Sequence, residues 1–193
     1  MVKLTRIYTR QGDGGDTHLG DMSRVRKTSG RVEAYGEVDE ANSAIGVARA
    51  LGLAPRMDEW LGVVQNDLFD VGADLAVPGG DDGRLRIVAA QVARLERWCD
   101  AANAELPPLE SFVLPGGTPA AASLHLARAI SRRAERAIVA LSDAEPVNDQ
   151  ALAYVNRLSD LLFILARRAN VDADGDVTWV PGASRAPDDG DVS

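Results

Sequence analysis

Apolar residues recur at intervals of three and four along most of this chain, which is the period of an α-helix buried on one side. One long run follows Pro55 and consists of Met57, Leu61, Val64, Leu68, Val71 and Leu75, with alternating steps of four and three. So strict a heptad-like pattern is typical of helices packed against one another. The sequence therefore predicts a helical bundle.

Four further segments carry the same period. The predicted buried residues are Val38, Ala41, Ile45 and Ala48 in a helix that begins near Gly36 and Glu37 within residues 31–51; Val88, Val92, Leu95, Cys99 and Ala102 in a helix over residues 87–105; Ala120, Leu124, Ala127, Ser131, Ala134, Ile138 and Leu141 in a helix that follows Thr118; and Ala151, Val155, Leu158, Leu162, Leu165 and Ala169 in a helix after Pro146 and Val147. Together with the segment after Pro55, they predict an all-α bundle of five helices.

The start of the fourth helix is marked by the sequence PGGTP. Gly116 and Gly117 favour a turn rather than a helix or a strand. Thr118 is a preferred N-cap residue, and Pro119 falls at the first helical position, where its missing N–H costs nothing. A helix is therefore predicted to begin directly after Thr118.

Length and composition indicate one domain. A chain of 193 residues with 46% hydrophobic content can bury one substantial core. We expect residues 1–182 to form it, with Trp179 docked on the bundle, and residues 183–193 to be a disordered polar tail. Cys99 lies at helical spacing among apolar residues, so it is expected to be a core residue rather than a nucleophile.

The charge of the chain narrows its partners. The formal net charge is -8, which argues against general nucleic-acid binding. No apolar run is long enough to span a bilayer, and no basic-then-apolar signal opens the sequence. We therefore expect a cytoplasmic protein that binds neither nucleic acid nor membrane.

The fourth helix also carries a charged stripe, which we call the arginine stripe. It comprises His125, Arg128, Arg132 and Glu135, flanked by Arg133 and Arg136. Exposed charge with i,i+4 ion pairs is the common interpretation of such a face. Here the stripe carries an excess of positive charge on an acidic chain, and its helix follows a Gly-rich turn. These two features favour a polyanion site instead, because planar guanidinium groups suit phosphate oxygens.

A Gly-rich segment, IYTRQGDGGDT, lies near the N-terminus. It is not a Walker A loop, since no Gly-Lys-Ser/Thr follows, and by itself it is more often a flexible turn. Its glycines would let backbone N–H groups converge on an anion, with hydroxyl groups from Thr9 and Thr17 and a cation from Lys27. The acidic loop at residues 77–83 is a poor candidate for phosphate binding.

Five blocks carry a family resemblance: IYTRQGDGGDT with Lys27, RVEAYGEVDEANSAIG, FVLPGGT, LHLARAISRRAER and YVNRLSDLLFILAR. In this order they resemble the ATP:cob(I)alamin adenosyltransferases of the propanediol-utilisation type, over about residues 5 to 182. The resemblance implies up-and-down packing of the five helices and a homotrimer whose sites lie between subunits. It also implies a flavoprotein reductase and a B12-dependent mutase as partners.

The reaction implied by this resemblance joins Co(I) of a corrinoid to the 5′ carbon of ATP and expels triphosphate. Preorganised cationic donors would stabilise the charge that develops on the leaving group. The implied ATP site comprises Thr9, Arg10, Gln11, Gly12, Gly14, Thr17, Lys27, Arg132, Arg133, Glu135, Arg136 and Asn156. Mg²⁺ would be bound mainly through the ATP phosphates, and no metal site built from protein ligands is predicted.

The corrin side rests on three further residues. The resemblance places Phe112 beneath the corrin, as an apolar wedge that displaces the lower ligand and leaves Co(II) four-coordinate and easier to reduce. From the residues alone, an ordinary core aromatic is the favoured interpretation of Phe112. Asp39 is implied to pair with Arg128 of a neighbouring subunit, the alternative being an acid favoured by the dipole at a helix N-terminus.

Two other classes of protein share a helical bundle. A di-iron carboxylate protein needs two Glu-x-x-His pairs, and His18 and His125 are the only histidines and form none. A non-catalytic adaptor that binds a nucleotide or another polyanion would fit the helices equally well. It leaves the Gly-rich segment and the arginine stripe without a specific role.

Overall fold

The computed structural model describes residues 8, 10–79, 83–171, 173 and 175–185. In these residues two short strands precede five α-helices, and one 3₁₀ turn follows them. The elements are β1 (Asp16–His18), β2 (Arg24–Arg26), α1 (Gly30–Ala50), α2 (Pro55–Leu75), α3 (Ala89–Asn103), α4 (Pro119–Ser142), α5 (Asp149–Arg168) and the turn Ala183–Arg185. The predicted five-helix bundle is confirmed.

The core lies between the faces that the periodicity selected. α1 packs against α2 and α4, α4 packs against α5, and α5 packs against α3. Nearly all the predicted apolar positions are buried. Val92 and Ala169 are half-buried, and Val88 is exposed because it lies in the N-cap position of α3 rather than inside the helix.

Helix starts follow their N-caps. The Thr118 hydroxyl accepts a hydrogen bond from the backbone N–H of Ala121 at 3.1 Å, so the predicted start of α4 is confirmed. The predicted start of α1 near Gly36 is wrong by about two turns. Ser29 caps this helix through Val32, and Gly36 lies inside it, with open space around the position of a Cβ atom.

Cys99 occupies the core position predicted for it. Its side chain is 8% exposed, and burial, more than any neighbouring charge, raises the pKa of the thiol to about 11. A thiol that stays protonated at neutral pH is a poor nucleophile. Its interpretation as a core residue is confirmed.

The Gly-rich segment folds back into a small antiparallel sheet that the apolar pattern did not predict. In the register of β1 and β2, Asp16 faces Arg26, and Thr17 faces Val25. The Asp16 carboxylate accepts hydrogen bonds from Arg24 at 2.8 Å and from Arg26 at 3.0 Å. These side-chain pairs lower the pKa of Asp16, the hydrogen bond from Arg26 contributing most.

Residues near the C-terminus return to the loop before α4. Thr178 forms a β-bridge with Val113, and the Trp179 ring lies against Phe112. Trp179 therefore contacts this loop, whereas the sequence predicts that it docks on the bundle. Of the tail predicted to be disordered, Ala183–Arg185 form the 3₁₀ turn, and residues 186–193 lie outside the described part of the chain. None of the helices described is long and apolar enough to cross a membrane.

Candidate active site

The exposed part of the arginine stripe consists of Arg132 and Arg136, one turn apart on α4. Arg136 Nη1 donates to the backbone carbonyl of Arg132 at 3.1 Å, so the Arg136 side chain folds back along the helix towards Arg132. Two guanidinium groups with free donors on one exposed face can bind a polyanion.

Glu135 and Asn156 join this face to α5. The Asn156 amide donates to the Glu135 carboxylate at 2.7 Å. Glu135 follows Arg132 by three residues, so both lie on one face of α4. The structure therefore brings four of the predicted ATP residues together: Arg132, Glu135, Arg136 and Asn156.

Arg133 points in another direction. Its guanidinium forms ion pairs with Glu37 and Glu40 of α1. The hydrogen bonds that Arg133 donates to the Glu40 and Glu37 carboxylates raise the pKa of Arg133. In this arrangement Arg133 ties α4 to α1, and its assignment to the ATP site stays a prediction.

His125 and Arg128 lie deeper than a charged stripe implies. His125 is 2% exposed, so its placement on an exposed charged face is wrong. Its ring lies 6.1 Å from that of Phe163 on α5, and burial is the main cause of its lowered pKa. Arg128 Nε is also buried, without a hydrogen-bond partner in the described residues, and burial followed by the charge of Arg132 lowers the Arg128 pKa.

Phe112 stands on the surface. Its side chain is 77% exposed, so the prediction of a core aromatic is wrong. The reason is the backbone pairing of its loop with the C-terminal residues, which presents the ring to an open cavity. This cavity has a volume of about 490 Å³ and is lined by Leu109, Ser111, Phe112, Val113, Arg128 and Phe163. The Arg128 guanidinium lies over the Phe163 ring at 5.9 Å from its centroid, a cation–π contact.

Asp39 lies on the exposed side of α1, in its third turn. The alternative interpretation, an acid at the helix N-terminus, is therefore wrong, since dipole effects fall off within the first turn. Among the described residues no hydrogen bond or ion pair joins Asp39 to Arg128. The pairing of these residues between subunits stays a prediction.

The N-terminal candidates form a separate cavity of about 590 Å³, lined by Gln11, Gly12, Asp16, Thr17, His18, Arg24 and Lys27. A Cβ atom at Gly12 would lie 3.0 Å from Lys27 Nζ, so Gly12 lets the lysine cross the loop. Gly14 is exposed and Arg10 has a positive φ of 60°. Thr9 lies outside the described residues.

A sequence profile described as cobalamin adenosyltransferase matches residues 7–169. The chain belongs to the cobalamin adenosyltransferase family. A corrinoid adenosyltransferase of Mycobacterium tuberculosis is 56% identical over 190 residues, covering 95% of this chain and 97% of the relative. One from Bacillus subtilis is 43% identical over 179 residues, covering 90% and 92%.

Solved structures agree with this family assignment. One is a variant of the PduO-type ATP:corrinoid adenosyltransferase from Lactobacillus reuteri, complexed with cobalamin and ATP. It matches this family member with a TM-score of 0.87 at 38% identity, over 91% of this chain and 97% of that one. A second variant of the same enzyme, complexed with ATP, matches with a TM-score of 0.84 at 39% identity, over 90% of this chain and 100% of that one.

Several cavity residues of this family member were not predicted. Phe163 follows Asn156 by seven residues, two helical turns on the same face of α5, and this spacing could have revealed it. Arg24, another cavity residue, lies in the unpredicted sheet, and its charge opposite to that of Asp16 was the available sequence signal. Across the described ranges, no group of three or more His, Cys, Asp or Glu side chains could hold a metal ion.

Proposed function

We propose that this protein transfers the 5′-deoxyadenosyl group of ATP to Co(I) of a corrinoid, giving adenosylcobalamin and inorganic triphosphate. Its family and the names of its relatives support this activity. The observation that carries the proposal is that two different binding surfaces, an apolar cavity and an exposed arginine face, lie next to each other on α4.

These two surfaces are one helical turn apart. Arg128 lines the cavity that contains Phe112 and Phe163, and Arg132 follows it by four residues on the exposed face. Four residues span about 6 Å along a helix axis. A flat apolar ring system in the cavity and a polyphosphate on the arginine face would therefore lie next to each other along α4. The reaction requires this, because the 5′ carbon of ATP must approach the cobalt.

The arginine face would act on the leaving group. Negative charge gathers on the triphosphate oxygen as the bond to the 5′ carbon breaks, and fixed cationic donors stabilise that charge without reorganising. We assign this role to Arg132 with Arg136, beside the hydrogen-bonded pair of Glu135 and Asn156. Lys27, Gln11, Gly12, Gly14 and Thr17, with Thr9 and Arg10, would bind other phosphates, and Mg²⁺ would enter with ATP through phosphate oxygens.

Phe112 would act on the corrin. An exposed aromatic at the mouth of an apolar cavity can fill the space below a bound ring without losing contacts of its own. In that position it would exclude a lower ligand, leaving Co(II) four-coordinate and easier to reduce.

We further propose a homotrimer with shared sites. Arg128 is half-buried and lines an open cavity, and its guanidinium has no hydrogen-bond partner in the described part of the protomer, whereas such polar groups are normally satisfied. Asp39 on the exposed side of α1 could supply that partner across a subunit boundary. A flavoprotein reductase that supplies Co(I), a B12-dependent mutase that receives the product and a cytoplasmic location complete the proposal.

The activity can be tested with purified protein, ATP, Mg²⁺ and chemically reduced cob(I)alamin. We expect adenosylcobalamin to form, detected by its absorption spectrum and by its loss on exposure to light. A polyanion-binding adaptor would bind ATP without forming it. ATP binding with no adenosylcobalamin, from a protein that unfolds cooperatively, would therefore replace the proposed activity with the adaptor.

A further inference from the structure

Phe112 lies on a segment held by residues far away in the sequence. We call residues 111–114 the Phe112 segment and residues 176–179 the C-terminal segment. Leu114 N donates to the Val177 carbonyl at 2.8 Å, and Trp179 N donates to the Phe112 carbonyl at 2.7 Å. Ser111 Oγ also donates to the Trp179 carbonyl at 2.7 Å. These bonds fix the backbone of the Phe112 segment.

The side chain of Phe112 is held by Trp179. Their rings meet edge to face, with centroids 6.0 Å apart and planes at 61°, a favourable geometry for an aromatic pair. Phe112 is 77% exposed and lies outside any helix, so few other contacts limit its rotamers. Trp179, which is 45% exposed, is therefore the main restraint on the direction of the Phe112 ring.

The C-terminal segment is fastened to the bundle by Arg167 of α5. The Arg167 side chain is 4% exposed, and its Nε donates to Asp176 Oδ2 at 2.7 Å. Its Nη2 donates to the carbonyl of Pro107 at 2.8 Å. One buried guanidinium thus holds the C-terminal segment and the chain that leads into the Phe112 segment.

We infer that Trp179 is a positioning residue for Phe112, and that the pair of Arg167 with Asp176 anchors the segment that carries Trp179. This inference rests on the proposed function, in which Phe112 excludes the lower ligand of the corrin. To exclude the lower ligand, the Phe112 ring must lie at a fixed height and a fixed angle below the corrin. A misplacement of about 1 Å can cost on the order of 100-fold in rate.

The test uses the full chain with Trp179→Ala and Trp179→Phe. The readouts are the fraction of four-coordinate Co(II), from its electron paramagnetic resonance spectrum with ATP and cob(II)alamin, and the steady-state constants. For Trp179→Ala we expect a smaller four-coordinate fraction and a kcat lower by about 10- to 100-fold, with KM for ATP unchanged. Trp179→Phe keeps a ring edge against Phe112 and should recover most of both.

Two further variants separate positioning from general damage. Val180→Ala removes apolar surface beside Trp179, from a side chain that is 62% exposed, and should leave both readouts at wild-type values. Asp176→Asn keeps the shape of the anchor while removing its charge, and should lower the four-coordinate fraction as Trp179→Ala does. Thermal unfolding checks that each variant is folded.

A double variant decides whether Trp179 acts through Phe112. If it does, Trp179→Ala should cause no further loss of kcat in a Phe112→Ala background. Wild-type four-coordinate fractions in Trp179→Ala and Asp176→Asn, or losses that add in the double variant, would overturn the inference while the wild-type protein still forms adenosylcobalamin. Failure of the wild-type protein to form it would instead overturn the proposed function.

Discussion

The side-chain amide of Asn170 occupies the space beside Gly117 where any other residue would place its Cβ atom. A Cβ built on Gly117 would lie 2.2 Å from Asn170 Oδ1, and Gly117 has a φ of +95°. Asn170 Oδ1 accepts from the N–H of Thr118 at 3.0 Å, and its Nδ2 donates to the Gly116 carbonyl at 3.2 Å. The turn that starts α4 is therefore fixed by Asn170, which lies just beyond the C-terminal end of α5.

Gly117→Ala should destabilise the protein by at least about 1–3 kcal/mol, because it adds backbone strain and displaces Asn170. Gly116→Ala is the matched control, since no atom lies within 4 Å of its Cβ position and its φ is ordinary. Urea unfolding gives the free energy of unfolding of each of the two variants. Equal losses in the two variants would mean that Asn170 does not constrain this turn.

Arg132→Lys should lower kcat/KM for ATP although the charge is kept, and the fall should correspond to a loss of about 2–4 kcal/mol in transition-state stabilisation. An ammonium group cannot reproduce the two parallel hydrogen bonds of a guanidinium on phosphate. Arg97→Lys, an exposed change on α3, is the control and should have no effect. Wild-type kcat/KM in a folded Arg132→Lys protein would remove Arg132 from the site.

Phe112→Ala should abolish most activity and the four-coordinate Co(II) spectrum while leaving the unfolding free energy within about 0.5 kcal/mol of wild type. Its exposure of 77% is the reason for the small effect on stability. Phe69→Ala is the control, since Phe69 on α2 is 70% exposed. A loss of about 3–5 kcal/mol in Phe112→Ala would indicate a core residue instead.

Asp39→Ala and Arg128→Ala should each lose nearly all activity, and mixing them should restore part of it. In a cyclic trimer with one residue from each neighbour per site, random reassembly of equal amounts makes about a quarter of the sites intact. Activity of the mixture, with trimers verified by mass, measures this. Mixed trimers as inactive as their parents would place both residues in one subunit's site.

The helices could be predicted because apolar residues repeat with the helical period. The ends of the helices could be predicted only where the sequence shows a recognisable cap. Thr118 before Pro119 marks the start of α4, whereas α1 is capped by Ser29, and Gly36, which suggests a boundary in the sequence, lies inside the helix. The arginine stripe was found for the same reason, since residues three and four apart share a face. Local sequence carries these signals.

Other features depend on pairings between distant parts of the chain. Ser111 and Trp179, which are 68 residues apart, are joined by a hydrogen bond, and this contact helps turn Phe112 outward. His125 is buried because Phe163 of α5 covers it. The family resemblance implied the role of Phe112, but its exposure follows only from tertiary packing.

The central claim is that the 5′ carbon of ATP becomes bonded to cobalt while the three phosphates leave together. The most direct measurement uses ATP with an isotopic label at the 5′ carbon, reduced cobalamin and the wild-type protein. Nuclear magnetic resonance should find the label in the carbon bonded to cobalt, and phosphate analysis should find intact triphosphate in equal amount. Cleavage of ATP to a nucleotide and phosphate, with the label still on an oxygen-bound carbon, would contradict the account.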